Sequence, residues 1–259
     1  MSTFDLMQSQ AAQFERDMTK VVTRLEKQVQ SIIDKFESID GSLTVSANNL
    51  NNALSVSNEL NQALKDSGYY NLAEKALNQN TKLMDVRHTE LKKLLGRQRL
   101  GQIDTSTFTA LNKVSFTGMT DLAEVDFVIR IREAIFNSVN LGLPISVLRE
   151  EMIKGIGMLK HHANTYIRTA KRQFAQQVED NAAKLIGFNG KNDIWEYTPE
   201  ILQRNSHPEC VYAVEKQYFT NAEKIEFNAG GGYSHSEPRW NCVHSFVITN
   251  ITFDEAFGK

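Results

Sequence analysis

Residues 4–39 read FDLMQSQAAQFERDMTKVVTRLEKQVQSIIDKFESI and carry apolar side chains at intervals of three and four residues. Because an α-helix turns once in 3.6 residues, this spacing places the apolar side chains on one stripe of a helix. The stripe comprises Phe4, Met7, Ala11, Phe14, Met18, Val22, Leu25, Val29, Ile32, Phe36 and Ile39. We therefore predict one long helix over this stretch, ended by Gly41 in the position that follows the last helical turn.

An apolar stripe of this length has two uses in helical proteins. It buries the core of a helical bundle within one chain, or it forms a seam that binds another subunit. The two uses are compatible. We expect a bundle core, and self-association through the N-terminal helix remains a second expectation.

Two further helical stretches follow, and Gly68 and Gly96 are predicted to end them. The first carries Leu43, Ala47, Leu50, Leu54, Leu60 and Leu64, and the second carries Leu72, Ala76, Leu83, Leu91 and Leu95. Residues 1–96 are therefore predicted to form a long helical, coiled-coil-like region. Residues 97–119 are polar and contain glycine, which is typical of a linker.

The middle of the chain, residues 120–187, is predicted to be helical. Asp121 with Glu124 matches a capping box that opens a helix, and NLGLPIS at residues 140–146 breaks that helix. A long helix then runs from about Ser146 to Gly187.

The last part of the chain, residues 188–259, differs in its sequence pattern from the helical part before it. Short aromatic and β-branched runs such as DIWEYTPE and HSFVITNITF alternate with Pro and Gly, which favours a small α+β module. The predicted fold class is thus mainly α, with long N-terminal helices, a helical middle and a small C-terminal α+β module.

The composition excludes several classes of protein. The 259 residues are 41% hydrophobic and 23% charged, which is ordinary for a chain with a substantial core. No apolar run approaches the ~20 residues of a membrane helix, so no membrane segment is expected. The balance of 29 Lys+Arg against 31 Asp+Glu argues against a general polyanion binder. The N-terminus shows no secretion signal, and we expect a reducing compartment.

The only two cysteines lie in SHPEC at residues 206–210 and in PRWNCVHSFVI at residues 238–248, each with a histidine nearby. His207, Cys210, Cys242 and His244 would supply the four N and S ligands of a structural Zn²⁺ site. We expect instead two reduced cysteines buried in a small core, with the histidines bonded to backbone carbonyls, and zinc is the alternative. A Cys210–Cys242 disulfide is a third interpretation, against which the expected reducing compartment argues. No group that would orient a Cys–His nucleophile pair is identifiable, so we expect no enzymatic activity.

A basic segment, KHHANTYIRTAKR, occupies residues 160–172 of the predicted long helix. Lys160, Arg168, Lys171 and Arg172 could contact DNA phosphates from there. We expect a solvated helix face here, with DNA contact as the alternative.

Four segments in this order resemble the head morphogenesis (Mu F-like) domain of minor head proteins of tailed bacteriophages. They are ANTYIRTAKRQFAQQVEDNAAKLIGF (163–188), DIWEYTPE (193–200), SHPECVYAVEKQYFT (206–220) and PRWNCVHSF (238–246). The positions that match the family pattern are Arg168, Thr169, Trp195, Cys210, Asn241, Cys242 and His244. The resemblance covers residues 115–250.

The resemblance implies a structural virion protein made in the host cytoplasm and located in the capsid interior or near the portal. Its expected partners are the portal and other phage head proteins, and its expected role is head assembly, DNA packaging or genome ejection. An oligomeric DNA-binding or internal ejection protein with a helical N-terminal region is the alternative.

Overall fold

The computed structural model describes residues 2–95, 105–188, 190, 192–198, 208–229 and 244–258. The helices are α1 (Thr3–Ile33), α2 (Ala47–Ser67), α3 (Tyr69–Asn78), α4 (Asn80–Leu95), α5 (Thr105–Ala123), α6 (Arg130–Asn140), α7 (Ile145–Ile186), α8 (Pro208–Lys216), α9 (Asn221–Ala229) and α10 (Phe253–Phe257). A π-helix, Glu124–Ile129, joins α5 to α6. The strands are β1 (Ser38–Ile39), β2 (Ser42–Leu43), β3 (Ile194–Thr198), β4 (Tyr218–Thr220) and β5 (Ser245–Ile248).

This architecture confirms the predicted fold class, which is mainly α with a small C-terminal region of short strands and helices. No helix among the described residues is both long enough and apolar enough to cross a membrane.

The chain divides into two compact units. The terminal unit comprises Met1–Gln10, Leu77–Lys113 and Tyr166–Lys259, and the central unit comprises Ala11–Ala76 and Val114–Thr165. These limits differ from the boundaries predicted from the sequence, 1–96, 97–119, 120–187 and 188–259. The unit limits fall inside α1, α3, α5 and α7. Apolar periodicity predicts where a helix runs, but it does not show which other elements each part of that helix packs against.

Most of the N-terminal stripe is buried, whereas Ile39 at its end is exposed. Met18 and Leu25 are fully enclosed, and Phe14, Val29 and Ile32 are nearly so. The buried part of the stripe therefore serves the core of the chain itself. Self-association through this helix stays a prediction.

Helix α1 ends at Ile33, earlier than predicted, and Gly41 does not cap it. Gly41 lies with Asp40 in the two-residue turn between β1 and β2, and both residues have positive φ, 80° and 50°. Asp-Gly is a preferred pair for such hairpin turns, because both central residues must adopt φ > 0. By contrast, Gly68 and Gly187 follow α2 and α7 with positive φ, as predicted. Gly96 lies outside the described residues.

The side chain of Asn49 holds the chain around the β1–β2 hairpin. Its Nδ2 donates to the carbonyl oxygens of Glu37 (2.9 Å) and Thr44 (2.8 Å), and its Oδ1 accepts from the Glu37 amide at 2.8 Å. Asn49 itself is fully buried, and a buried amide of this kind needs such partners.

We expect Asn49→Ala to lower the free energy of unfolding by about 2–3 kcal/mol, because it removes the buried amide that bonds the backbone of Glu37 and Thr44. Urea denaturation measures this change. Asn51→Ala is the matched control, since Asn51 is exposed on the same helix. Equal losses in the two variants would contradict the role assigned to Asn49.

The predicted linker over 97–119 is wrong for its described part. Helix α5 begins at Thr105 and buries Phe108, Met119 and Ala123. The many Ser and Thr residues of this segment concealed an apolar spacing of three to four residues on one helix face. Residues 97–104 lie outside the described residues.

The predicted capping box is also wrong, because Asp121 and Glu124 lie within the continuous run from α5 into the π-helix. The π-helix carries the buried Asp126, whose Oδ2 lies 2.6 Å from Nδ1 of His162 on α7. The extra residue of a π-turn thus places a carboxylate inside a helical bundle.

The C-terminal strands form an antiparallel sheet in the order β4-β3-β5. Trp195 of β3 faces Phe219 of β4 and Ile248 of β5 in the register. The core beside this sheet contains Leu91, Ala182, Ala183, Trp195, Tyr197, Ala213, Phe219, Phe246 and Ile248. The short helices α8 and α9 accompany these strands, in line with the predicted α+β module.

Candidate functional site

The terminal unit contains the positions that carry the resemblance, and its central feature is the contact of α7 with β5. Among the strands that the structure describes, β5 is at the edge of the sheet, so one side of its backbone has no described neighbouring strand in the order β4-β3-β5. An edge strand presents unpaired N–H and C=O groups that a protein must cover or leave to water.

Three side chains of α7 cover that edge. Arg172 Nη1 donates to the carbonyl oxygen of His244 at 2.7 Å, and Gln176 Oε1 accepts from the amide of Phe246 at 3.0 Å. Glu179 Oε2 accepts from the amide of Ile248 at 3.1 Å. The helix residues are about one turn apart, and the strand residues are two positions apart. These two spacings cover similar lengths along the helix and the strand, so each helix side chain can reach its own strand residue. We call this set of three contacts the edge ladder.

Glu179 connects the edge ladder to the N-terminal part of the chain. It forms a two-pronged ion pair with the guanidinium of Arg87 on α4, and Arg87 Nη1 also contacts Glu90 Oε2 at 3.0 Å. The two oxygens of Glu90 accept from the backbone amide and the hydroxyl of Thr3, each at 2.9 Å. Burial disfavours the charge on Arg87, yet the two carboxylates raise its pKa.

Trp195 is buried at the centre of the sheet and has a cation on its face. Lys224 Nζ lies 3.2 Å from the centroid of its ring and 2.8 Å from Oδ1 of Asp180. Burial lowers the pKa of Lys224, and the carboxylate of Asp180 opposes this effect. The indole Nε1 donates to Asn221 Oδ1 at 3.2 Å, so both the face and the edge of the ring are fixed.

Tyr197 brings together the two described members of the predicted zinc set. Its hydroxyl lies 3.8 Å from Cys210 Sγ, and its ring stacks on that of His244 with the centroids 5.3 Å apart. Both Cys210 and His244 are buried. His207 and Cys242, the other two predicted ligands, lie outside the described residues. Asn241, a family-motif position, also lies outside them. The disulfide alternative needs Cys242 and is therefore outside the described residues as well.

Among the residues that the structure describes, no group of three or more His, Cys, Asp or Glu side chains could hold a metal ion. Cys210 and His244 contact the aromatic core through Tyr197. The packed core and the zinc site both stay predictions, because His207 and Cys242 lie outside the described residues. We expect the packed core, and hence a purified protein that folds without stoichiometric zinc.

Metal analysis of the protein purified without chelator tests this expectation. One zinc per chain, lost in Cys210→Ser, would contradict the core interpretation. Retention of the circular dichroism spectrum after dialysis against EDTA would support it.

The predicted DNA-contacting face is wrong for two of its four members. Lys171 is completely buried, with Nζ 2.8 Å from Gln10 Oε1 and 3.3 Å from Asn80 Oδ1. Arg172 is buried in the edge ladder. Lys160 and Arg168 are half-buried on α7, as is Thr169. Burial lowers the pKa of Lys171 to about 7.

Sequence reasoning missed Arg87, Gln176, Glu179 and Lys224. Their signal is a polar residue within an otherwise buried helix segment, because a polar side chain in such a place needs a specific partner. Through the edge ladder, side chains of α7 bond the backbone of β5 and so position the C-terminal sheet against α7.

None of the protein-family models, curated proteins or solved structures compared with this chain matches it.

Proposed function

We propose that this chain is a minor head protein of a tailed bacteriophage, associated with the portal, that assists head assembly, DNA packaging or genome ejection. The observation that carries the proposal is the resemblance to the Mu F-like domain at Arg168, Thr169, Trp195, Cys210 and His244. All five positions belong to the terminal unit, on α7, β3, α8 and the residue before β5.

The contacts within that unit fit a role in docking. Trp195 is buried under Lys224, and the edge ladder fixes β5 against α7. Such bonds hold a surface in one shape, and a preformed surface binds a partner without the cost of ordering itself first. The proposed role requires no reaction, and we propose none.

The proposed location follows from the same resemblance. The chain would reside in the virion, inside the capsid or beside the portal, after synthesis in the host cytoplasm. The DNA-binding alternative has less support than at first, because Lys171 and Arg172 are buried and bonded within the protein.

Co-sedimentation with the portal protein encoded in the same genome tests the proposal. We expect the purified full chain to sediment with assembled portal rings and to do so at high as well as low salt. An unrelated helical protein of similar size, mixed with the same rings, is the control.

The DNA arm of the experiment separates the two functions. Binding of duplex DNA that weakens steeply with salt, together with no portal binding, would replace the proposal with the DNA-binding alternative. Failure to bind either would contradict the proposed portal association.

A further inference from the structure

A groove on the central unit has the same residue spacing on both of its walls. A cavity of about 330 Å³ lies between α1 and α7. Residues 26, 29, 30 and 33 of α1 line one wall, and residues 149, 152, 153 and 156 of α7 line the other. Both sets follow the pattern i, i+3, i+4, i+7, which defines one continuous helix face.

The floor of the groove is apolar. Val29, Ile33, Met152 and Ile156 are buried there, whereas Ile153 remains 62% exposed on the rim. When a partner covers an aliphatic side chain exposed to this extent beside an apolar floor, the burial of apolar surface stabilises the complex.

One charge of each sign flanks this floor. Glu26 and Arg149 are exposed, and neither forms a hydrogen bond or ion pair with any other residue that the structure describes. Both charges are therefore available to a partner.

The two charges lie at opposite ends of the groove. The start of α7 is bonded to the hairpin that follows α1, through Ile145 N to Gly41 O at 2.9 Å. The C-terminal end of α1 and the N-terminal end of α7 therefore meet near the hairpin, and the two helices are antiparallel. Arg149 is then near the hairpin end on one wall, and Glu26 is at the far end on the other wall.

We propose that this groove is the interface of a homodimer with two-fold symmetry. A two-fold axis midway between Glu26 and Arg149, perpendicular to the line that joins them, places each Glu26 against the Arg149 of the second copy. The same operation covers Ile153 in both copies. Such a self-complementary patch is what an isologous interface requires. The partner surface here is the groove between α1 and α7, to which the N-terminal stripe contributes only Val29.

Sedimentation velocity of the purified full chain over a range of micromolar concentrations tests the proposal. We expect a dimer for the wild type and a monomer for Ile153→Asp, which would bury a charge in the interface. Glu26→Arg and Arg149→Glu should each weaken the dimer by about tenfold or more, because each creates two like-charge contacts.

The double variant E26R/R149E provides the decisive arm. It restores opposite charges across the axis, so we expect it to recover the dimer. Circular dichroism shows whether each variant is folded. Leu54→Asp is the matched control, since Leu54 is 72% exposed on α2 outside this groove and its replacement should leave the dimer intact.

A monomeric wild type would overturn the proposal, as would a dimer that survives Ile153→Asp or one that the double variant fails to recover. The inference stands apart from the proposed portal association, because the experiment contains no portal and no DNA.

Discussion

Replacing Glu179 with alanine is expected to lower the free energy of unfolding by about 3 kcal/mol. The change removes one partner of a buried ion pair, which typically costs ~3–5 kcal/mol. We expect the lower end because Arg87 keeps its contact with Glu90. The amide of Ile248 also loses its acceptor, so its hydrogen exchange should become faster in the variant.

Denaturant unfolding and amide hydrogen exchange measure the two effects. Glu151→Ala is the matched control, because Glu151 is an exposed carboxylate on the same helix with a loose contact to Lys154. It should change the stability by less than about 0.5 kcal/mol. If Glu179→Ala lowered the free energy of unfolding as little as the control does, this would contradict the claim that the edge ladder holds β5 in place.

Replacing Lys171 with methionine is expected to change how stability depends on pH. Burial lowers the pKa of Lys171 to about 7 in the folded chain, against the ordinary lysine value of 10.5. Between these values the unfolded chain binds more protons than the folded chain, so wild-type stability rises with pH across this window. The shift corresponds to at most about 5 kcal/mol between pH 7 and 10.5.

The difference between variant and wild type isolates this one group. We compare the free energy of unfolding of Lys171→Met with that of wild type. The difference should favour the variant most at pH 7 and below, and should shrink steadily towards pH 10. A constant offset is expected as well, because Gln10 and Asn80 each lose a bonded donor. Lys184→Met, at an exposed site on α7, is the control and should show no such slope. If the stability of K171M and that of wild type changed with pH in parallel, this would contradict the claim that the Lys171 amine is buried with a lowered pKa.

The helices were largely predictable because their signal is local. The stripe of α1 and the glycines after α2 and α7 depend on residues within a few turns of one another. The end of α1 was missed because the Asp40–Gly41 pair favours a hairpin turn more strongly than a helix end.

The candidate site depends on distant pairs and was therefore harder to predict. Gln176 and Phe246 are 70 positions apart, and no local pattern joins them. Lys171 and Arg172 were expected on a solvated or DNA-facing side because periodicity assumes one buried face per helix. This part of α7 is buried on several sides, so its cations had to find partners inside the protein.

The most direct test of the proposed function is mass spectrometry of purified virions from a phage whose genome encodes this sequence. The account predicts peptides of the chain in intact particles, retained in heads separated from tails and protected from added protease. Absence of the chain from the virions, while it accumulates in the infected cell, would contradict the account.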